Sequence, residues 1–298
     1  MSNRLSILIP AYGYAGGVKT ILSNFRDDAL IGLEILISDD SSDDLVERVV
    51  SEQSPHFRGK LRYRRNQPRL GAVANWNSLL EWASGEYVLL LHHDEYPLGL
   101  EFTRRVLELL ESAPEVDVFV LECVLSSMDG KDLRHHMPGL IQKLVLKHFP
   151  TYLFRRNVVG PTSCLIVRRD LYPRFDERLH WLVDVDAYFR LRKKTARWRV
   201  CRHLKIGSTL GRKDSITASI KDKLKDLDRQ ERIYLNQRHP EARVWLASRS
   251  YRISNALEHM AWVSMRVITR LYCKATYFLR TSPNIVSHFQ RKSNNDRM

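Results

Sequence analysis

Leu33-Glu34-Ile35-Leu36-Ile37-Ser38-Asp39-Asp40-Ser41-Ser42-Asp43-Asp44-Leu45-Val46-Glu47-Arg48-Val49-Val50 is the stretch on which the fold turns. An apolar run from Leu33 to Ile37 reads as a buried strand. It ends in an acidic, Ser-rich turn rich in helix N-capping residues, and helical periodicity follows at Leu45, Val46, Val49 and Val50. The same unit recurs on both sides. Leu5 to Ile9 reads as a strand with a helix over Val18 to Phe25, and Leu61 to Arg64 as a strand with a helix over Gly71 to Ala83. Tyr87 to Leu91 is a fourth strand. Strands alternating with short helices predict βαβ units and a mostly parallel sheet, the α/β class. Right-handed crossovers then bring the strand ends to one edge, where ligands of such sheets bind. The polar ends delivered there are Pro10-Ala11-Tyr12, Asp39-Asp40 and His92-His93-Asp94-Glu95.

Further along, Cys164 to Val167 reads as another strand and Asp184 to Lys193 as a helix. From Ser215 the pattern is helical, broken by Pro240 and Pro283. The region from about 121 to 165 is harder to read, with Gly, Pro and paired His scattered through it. This predicts two parts, a sheet domain over 1–215 and a basic helical region over 216–298. Composition is ordinary for a globular chain, with 44% hydrophobic and 28% charged residues, which excludes a disordered or fibrous protein. Apolar runs such as Val88 to Leu91 are far too short to span a membrane. Residues 1–20 lack the pattern of a secretory signal. The four cysteines form no Cys-x-x-Cys pair, against structural zinc or a disulfide framework. A cytoplasmic chain with reduced thiols is expected.

In order along the chain, these segments resemble the family 2 glycosyltransferases, inverting enzymes with the GT-A fold, over roughly residues 4–220. Leu5 to Tyr12 is similar to that family's first strand with its Pro-x-Tyr turn, and Glu34 to Asp43 to its second strand with the Asp-Asp-x-Ser-x-Asp ending. Asn66 to Asn77, with Gly71, matches the segment that packs under the nucleotide. Gly85-Glu86-Tyr87-Val88 leads into the metal-binding loop. Phe175-Asp176-Glu177 and Asp184-Val185-Asp186 resemble the acceptor-side acidic motif.

The resemblance implies a nucleoside diphosphate sugar donor and a glycan or lipid-linked acceptor. It also implies a divalent cation, Mn2+ or Mg2+, against the leaving diphosphate. Asp94 takes the place of the last acid of the family's Asp-x-Asp motif and is the expected metal ligand. His92 stands where the first Asp is usual and is the second candidate ligand, with Glu95 nearby. Pro10, Tyr12, Asp40, Asn77 and His93 are the expected nucleotide-sugar contacts. Asp39 reads as a structural neighbour of Asp40, and Asp186 likewise of Asp184. Asp184 is the expected general base, since in-line attack needs a group to take the acceptor hydroxyl's proton. Arg212 and Lys213 stand where relatives often carry a His, and two cations there would face the diphosphate. Val183 replaces the usual Glu before the base. That replacement and His92 leave open a nucleotide- or glycan-binding scaffold as the alternative to an enzyme.

The net charge is +14, and it is unevenly spread. Residues 241–298 hold 10 Lys+Arg and 3 Asp+Glu, a net of +7, so the first 240 residues supply only 14 − 7 = +7. Within that end, Arg266, Arg270 and Lys274 form a basic stripe beside Trp262, Val267, Leu271 and Phe278. Such a stripe suits an anionic membrane surface, at the inner face of the cytoplasmic membrane, or else packs on protein. A nucleic-acid partner is the rival reading of the charge; no recognised nucleic-acid motif accompanies it, and none is expected to bind.

Overall fold

The computed structural model describes residues 3–25, 32–57, 60–99, 101–127, 132–209 and 221–242. Nine strands form one sheet: β1 (Leu5–Ala11), β2 (Leu33–Asp39), β3 (Lys60–Arg65), β4 (Tyr87–Leu90), β5 (Glu95–Leu98), β6 (Val118–Ser126), β7 (Asp132–His135), β8 (Leu165–Arg168) and β9 (Trp198–Thr209). Their order is β3-β2-β1-β4-β8-β6-β9-β5, with β7 paired to β6. Seven helices accompany them among the described residues: α1 (Ala15–Ser23), α2 (Leu45–Gln53), α3 (Ala72–Trp82), α4 (Phe102–Ser112), α5 (Gly139–His148), α6 (Val183–Lys194) and α7 (Leu224–Arg238).

β1, β2 and β4 are buried along their whole lengths, as central strands of a covered parallel sheet must be. That explains their unbroken apolar runs. Helix α3 lies against β1 and β2, while α1 and α2 pack on each other. The one acid within these runs, Glu34, accepts the Ser6 hydroxyl at 2.6 Å and the Ser84 N–H at 2.6 Å on one carboxylate oxygen, and the Arg62 guanidinium lies 3.9 Å from the other. The outer strand β3 carries arginines: the Arg62 and Arg64 guanidinium groups stack on the Trp82 ring at 4.6 and 4.5 Å. Charge on an edge strand discourages pairing with another chain.

Parallel pairing holds from β3 to β4, as the βαβ reading requires. Beyond β4 the sheet is mixed: β8 is antiparallel to β4 and to β6, and β5 to β9, while β6 and β9 are parallel. The reason is local. β8 starts from the turn Thr162–Cys164 and runs away from the end of the sheet at which β4 finishes. The sheet therefore matches the expected GT-A class, wholly parallel from β3 to β4 and mixed beyond, where β6 and β9 form the one further parallel pair among the described residues.

The expected division at 215/216 falls in residues 210–220, outside the described residues. Helix α7, beyond it, is bound to the segment before α6. The buried Glu231 carboxylate accepts the backbone N–H groups of His180 (2.6 Å), Trp181 (3.1 Å) and Leu182 (2.7 Å). His239 Nε2 meets Asp186 Oδ1 at 2.7 Å, and Arg190 Nε donates to Asp186 Oδ2 at 2.8 Å. Asp186 thus has the structural role expected for it. The basic stripe at Arg266, Arg270 and Lys274 lies outside the described residues.

Candidate active site

Strand order places a crevice between β1 and β4. From β1 the chain crosses to β2 and then β3 on one side, while β4 lies on the other, so the connections leave in opposite directions. At such a switch point the loops diverge and leave room for a ligand beyond the strand C-termini. The two loops flanking this crevice are Tyr12–Tyr14 after β1 and His92–Asp94 after β4. His93 Nδ1 lies 3.2 Å from the Pro10 carbonyl oxygen, which ties them together. Gly17 lets α1 approach this closely, because a β-carbon there would overlap the His93 carbonyl oxygen.

After β4 the chain turns on itself, with Glu95 N–H donating to the His92 carbonyl at 3.0 Å. The turn gathers His92, Asp94 and Glu95 so that one ligand atom of each lies within 4.8 Å of the others. The His92 ring rests on Trp76, centroids 4.8 Å apart, and its Nε2 lies 3.2 Å from the Thr162 hydroxyl. Burial pushes the His92 pKa down to about 4, so the imidazole is neutral at pH 7 with a lone pair to give. Glu95 is 4% exposed, and its Oε2 has no hydrogen-bond partner. Burial, then the adjacent Asp94, raise its carboxyl well above the usual range. A buried acid with an orphaned oxygen beside another carboxylate and a neutral imidazole is a donor set that fits a divalent cation. Its natural charge balance is a cation between the two acids.

Asp184 sits in the first turn of α6, half-buried. Burial raises its pKa to about 6; the α6 backbone N–H groups of Asp184 and Val185 pull the other way, and Glu231 adds to the rise. Asn157 Nδ2 donates to Asp184 Oδ2 at 3.1 Å, while Asn157 Oδ1 accepts the N–H groups of Val159 (3.0 Å) and Gly160 (2.9 Å). Residues 157–162 therefore touch Asp184 at one end and His92 at the other. Tyr188, one turn after Asp184, lies within electrostatic reach of both Asp184 and Glu95.

The remaining expected contacts divide. Tyr12 is 52% exposed, its ring under the Arg69 guanidinium at 4.6 Å. Asp40 is buried and accepts Asn66 Nδ2 (2.8 Å) and the N–H groups of Leu70 (3.1 Å) and Gly71 (2.7 Å). Gly71 reaches it with φ of +86°, a conformation other residues rarely take. A carboxylate offers about four acceptor sites, so about one remains for a ligand. Asp39 accepts from Ser41 N–H (2.9 Å) and the Tyr63 hydroxyl (2.9 Å), as a structural neighbour should. Asn77 is not brought to the cluster in a free state: its amide donates to the Phe175 carbonyl (3.0 Å) and Glu177 (3.0 Å) and accepts Phe175 N–H (2.7 Å). It pins the 175–177 loop to α3. Arg212 and Lys213 lie outside the described residues.

Four residues near the site carried no signal in the sequence. Asn157 and Thr162 fall in the middle region that is harder to read, Arg69 is one of several arginines around β3, and Glu231 lies 47 positions after the acid it supports. Replacing Glu231 with Ala leaves three N–H groups at the entry to α6 without their acceptor. The Leu182 N–H is buried and the other two are part-buried, so at roughly 1–3 kcal/mol for a buried unsatisfied group a loss of about 2 kcal/mol is expected in urea unfolding. Turnover should fall with it, because Asp184 lies on the turn so held; wild-type stability in Glu231→Ala would remove this role.

A sheet with its site at the β1/β4 switch point, a carboxylate–imidazole cluster and a separate raised-pKa acid defines a GT-A-like α/β protein. The model of the glycosyl transferase family 2 matches residues 6–175, more than half of the chain. The chain belongs to that family. An uncharacterised protein of Mycobacterium tuberculosis is 27% identical over 213 residues, covering 64% of this chain and 63% of the relative. An uncharacterised glycosyltransferase of Haemophilus influenzae is 30% identical over 113 residues, 38% of this chain and 36% of its own. The chain thus spans less than two thirds of the length of these curated relatives. Among solved structures, the fold is shared with residues 1–349 of S. aureus TarS in complex with UDP-GlcNAc, at a TM-score of 0.57 and 16% identity over 72% of this chain and 61% of that one. It is shared also with the mannosyltransferase PcManGT of Pyrobaculum calidifontis in complex with GDP-Man and Mn2+, at a TM-score of 0.58 and 15% identity over 96% and 84%.

Proposed function

We propose that the protein transfers a sugar from a nucleoside diphosphate sugar to a hydroxyl of a glycan or lipid-linked acceptor, with inversion at the anomeric carbon. The observation that carries this reading is the single loop, 157–162, that joins Asp184 to the His92–Asp94–Glu95 cluster. The acceptor oxygen attacks the anomeric carbon opposite the leaving group. The carbon–oxygen bond to the diphosphate breaks, and its electron pair leaves with the diphosphate. The acceptor's proton goes to Asp184, whose pKa of about 6 leaves it ionised at neutral pH yet basic enough to accept. Asn157 holds that carboxylate in place.

His92, Asp94 and Glu95 would hold Mn2+ or Mg2+, which when bound supplies positive charge for the leaving diphosphate. Pro10, Tyr12 and His93 form the wall of the donor slot, with Arg69 over Tyr12. Asp40 offers its remaining acceptor site to the nucleoside and also shapes the slot's floor. Asn77 serves the slot through the Phe175 loop, and Arg212 and Lys213 stand as cations for the diphosphate. Residues 216–298 form the basic region, whose segment 241–298 faces an anionic membrane. No helix among the described residues is long and apolar enough to cross a membrane.

A thermal-shift panel of nucleoside diphosphates with and without Mn2+ tests the donor site. A cognate diphosphate near a hundred times its Kd, with Mn2+, should raise Tm by about 5 °C or more. Hydrolysis or transfer of the matching nucleotide sugar then separates an enzyme from a binding scaffold. If no diphosphate shifts Tm under either condition, the donor-site assignment fails.

A further inference from the structure

Helix α5 has one face built into the protein and one left to solvent. Gly139, Gln142, Val145 and Leu146 are buried, and Gln142 Nε2 donates to the Val158 carbonyl at 3.0 Å. On the other side Leu140 is 70% exposed and Leu144 47%, and Phe149, just past the helix end, is 62% exposed. Seven large apolar side chains are exposed among the described residues, and three of them fall within these ten positions. Scattered singly they would need no explanation; clustered along α5 and at its C-terminal end they mark a contact surface.

Lys143, Lys147 and His148 share that face, since positions 140, 143, 144, 147 and 148 lie on one side of a helix. Both lysines are exposed. The surrounding sequence contains no opposite charge at all: from Leu133 to Arg169 there are seven Lys or Arg and no Asp or Glu. A face of leucine and phenylalanine interleaved with lysine fits a boundary whose interior is apolar and whose rim is anionic. A second copy of the chain fits it poorly, because a two-fold interface would set these lysines against themselves.

We propose that α5 with Phe149 docks on an anionic phospholipid bilayer. Leu140, Leu144 and Phe149 enter the interface, and Lys143 and Lys147 meet the lipid phosphates. This site is separate from the basic segment beyond residue 240. The surface stands on its own exposure and charge; its use rests on the proposed transfer reaction. Gln142, on the buried face, holds Val158, the neighbour of the Asn157 that supports Asp184. Docking through α5 would therefore present the acceptor side of the site to a lipid-linked acceptor.

The test is co-sedimentation of the full chain with phosphatidylcholine vesicles, with and without phosphatidylglycerol. The wild type should bind the anionic vesicles and not the neutral ones. L140Q/L144Q/F149Q and K143Q/K147Q should each lose about tenfold or more in partitioning. Ile233→Gln, an exposed apolar change on α7, should bind as wild type. All these positions are exposed, so unchanged far-UV circular dichroism and Tm confirm intact folds. Unchanged nucleoside diphosphate thermal shifts in the same variants separate this result from the fate of the transfer reading. The proposal is overturned if both α5 variants bind like wild type while R266Q/R270Q does not, which would assign binding to the C-terminal segment. It is also overturned if the wild type binds no vesicle, or if the α5 variants only turn a dimer into a monomer in light scattering.

Discussion

Asp184→Asn should lower turnover by about a hundredfold or more and, in the same protein, raise the melting temperature. The first effect is the loss of a group that accepts a proton in the transition state, usually 10²–10⁴-fold. The second follows from the sign of the pKa shift. Burial raises the native carboxyl from its ordinary 3.8 to about 6. Between those values the unfolded chain releases its proton while the native state keeps it, so stability falls as pH rises through that window. Above about pH 6 the native protein carries an ionised, half-buried carboxylate at a cost of up to about 3 kcal/mol. Asparagine removes that cost while retaining a partner for Asn157.

Turnover should accordingly have an acidic limb near pH 6, where Asp184 becomes protonated and stops accepting. Asp184's own contribution to stability is then greatest below the pH at which it accepts a proton. Parallel Tm and kcat measurements from pH 5 to 8 check both. An Asp184→Asn protein that melts at or below wild type at pH 7, or that keeps its rate, removes Asp184 from the base role.

What the sequence discloses is set by how far each feature reaches. The N-terminal strands are legible because burial on both faces demands continuous apolar runs, and Leu5 to Ile9 and Leu33 to Ile37 supply them. The places of Asp94, in the loop after β4, and of Asp184, in the first turn of α6, are legible because they sit at fixed steps from strands and helices that can themselves be read. β6 and β9 are harder, since partners from distant segments leave no local spacing to count, and β8 is legible as an apolar run but not in its antiparallel direction. Asn157 and Thr162 belong to a turn whose only signature is three-dimensional. Asn77 illustrates the opposite case: its place in a recognisable triplet suggested the nucleotide, whereas its amide is engaged by Phe175 and Glu177, 98 and 100 positions away. Sequence order marks which segment a residue belongs to, not which way its side chain faces.

Asp94→Ala should abolish the Mn2+-dependent part of the diphosphate thermal shift and lower transfer by about a thousandfold, and a chelator should do the same to the wild type. The comparison that isolates the cation is Glu95→Gln. Without a metal, burial and the adjacent Asp94 raise the Glu95 carboxyl well above its usual range and so favour the neutral form, to which Gln is close in shape and polarity. The metal-free variant should therefore melt within about 1 °C of wild type, while its response to Mn2+ weakens strongly, since an amide oxygen is a poorer ligand than a carboxylate. In the proposed cluster, His92 should set the preference between metals. A neutral imidazole is a nitrogen ligand, which Mn2+ accepts more readily than Mg2+, an ion that favours oxygen. His92→Asp puts a second carboxylate at the first position of the cluster and should raise the Mg2+-supported rate relative to the Mn2+-supported one. An unchanged ratio would show that His92 does not touch the metal, leaving it to its contacts with Trp76 and Thr162. Loss of the Mn2+ response in Asp94→Ala but not in Glu95→Gln would move the third ligand away from Glu95 and leave its buried, unpartnered oxygen to be explained by water.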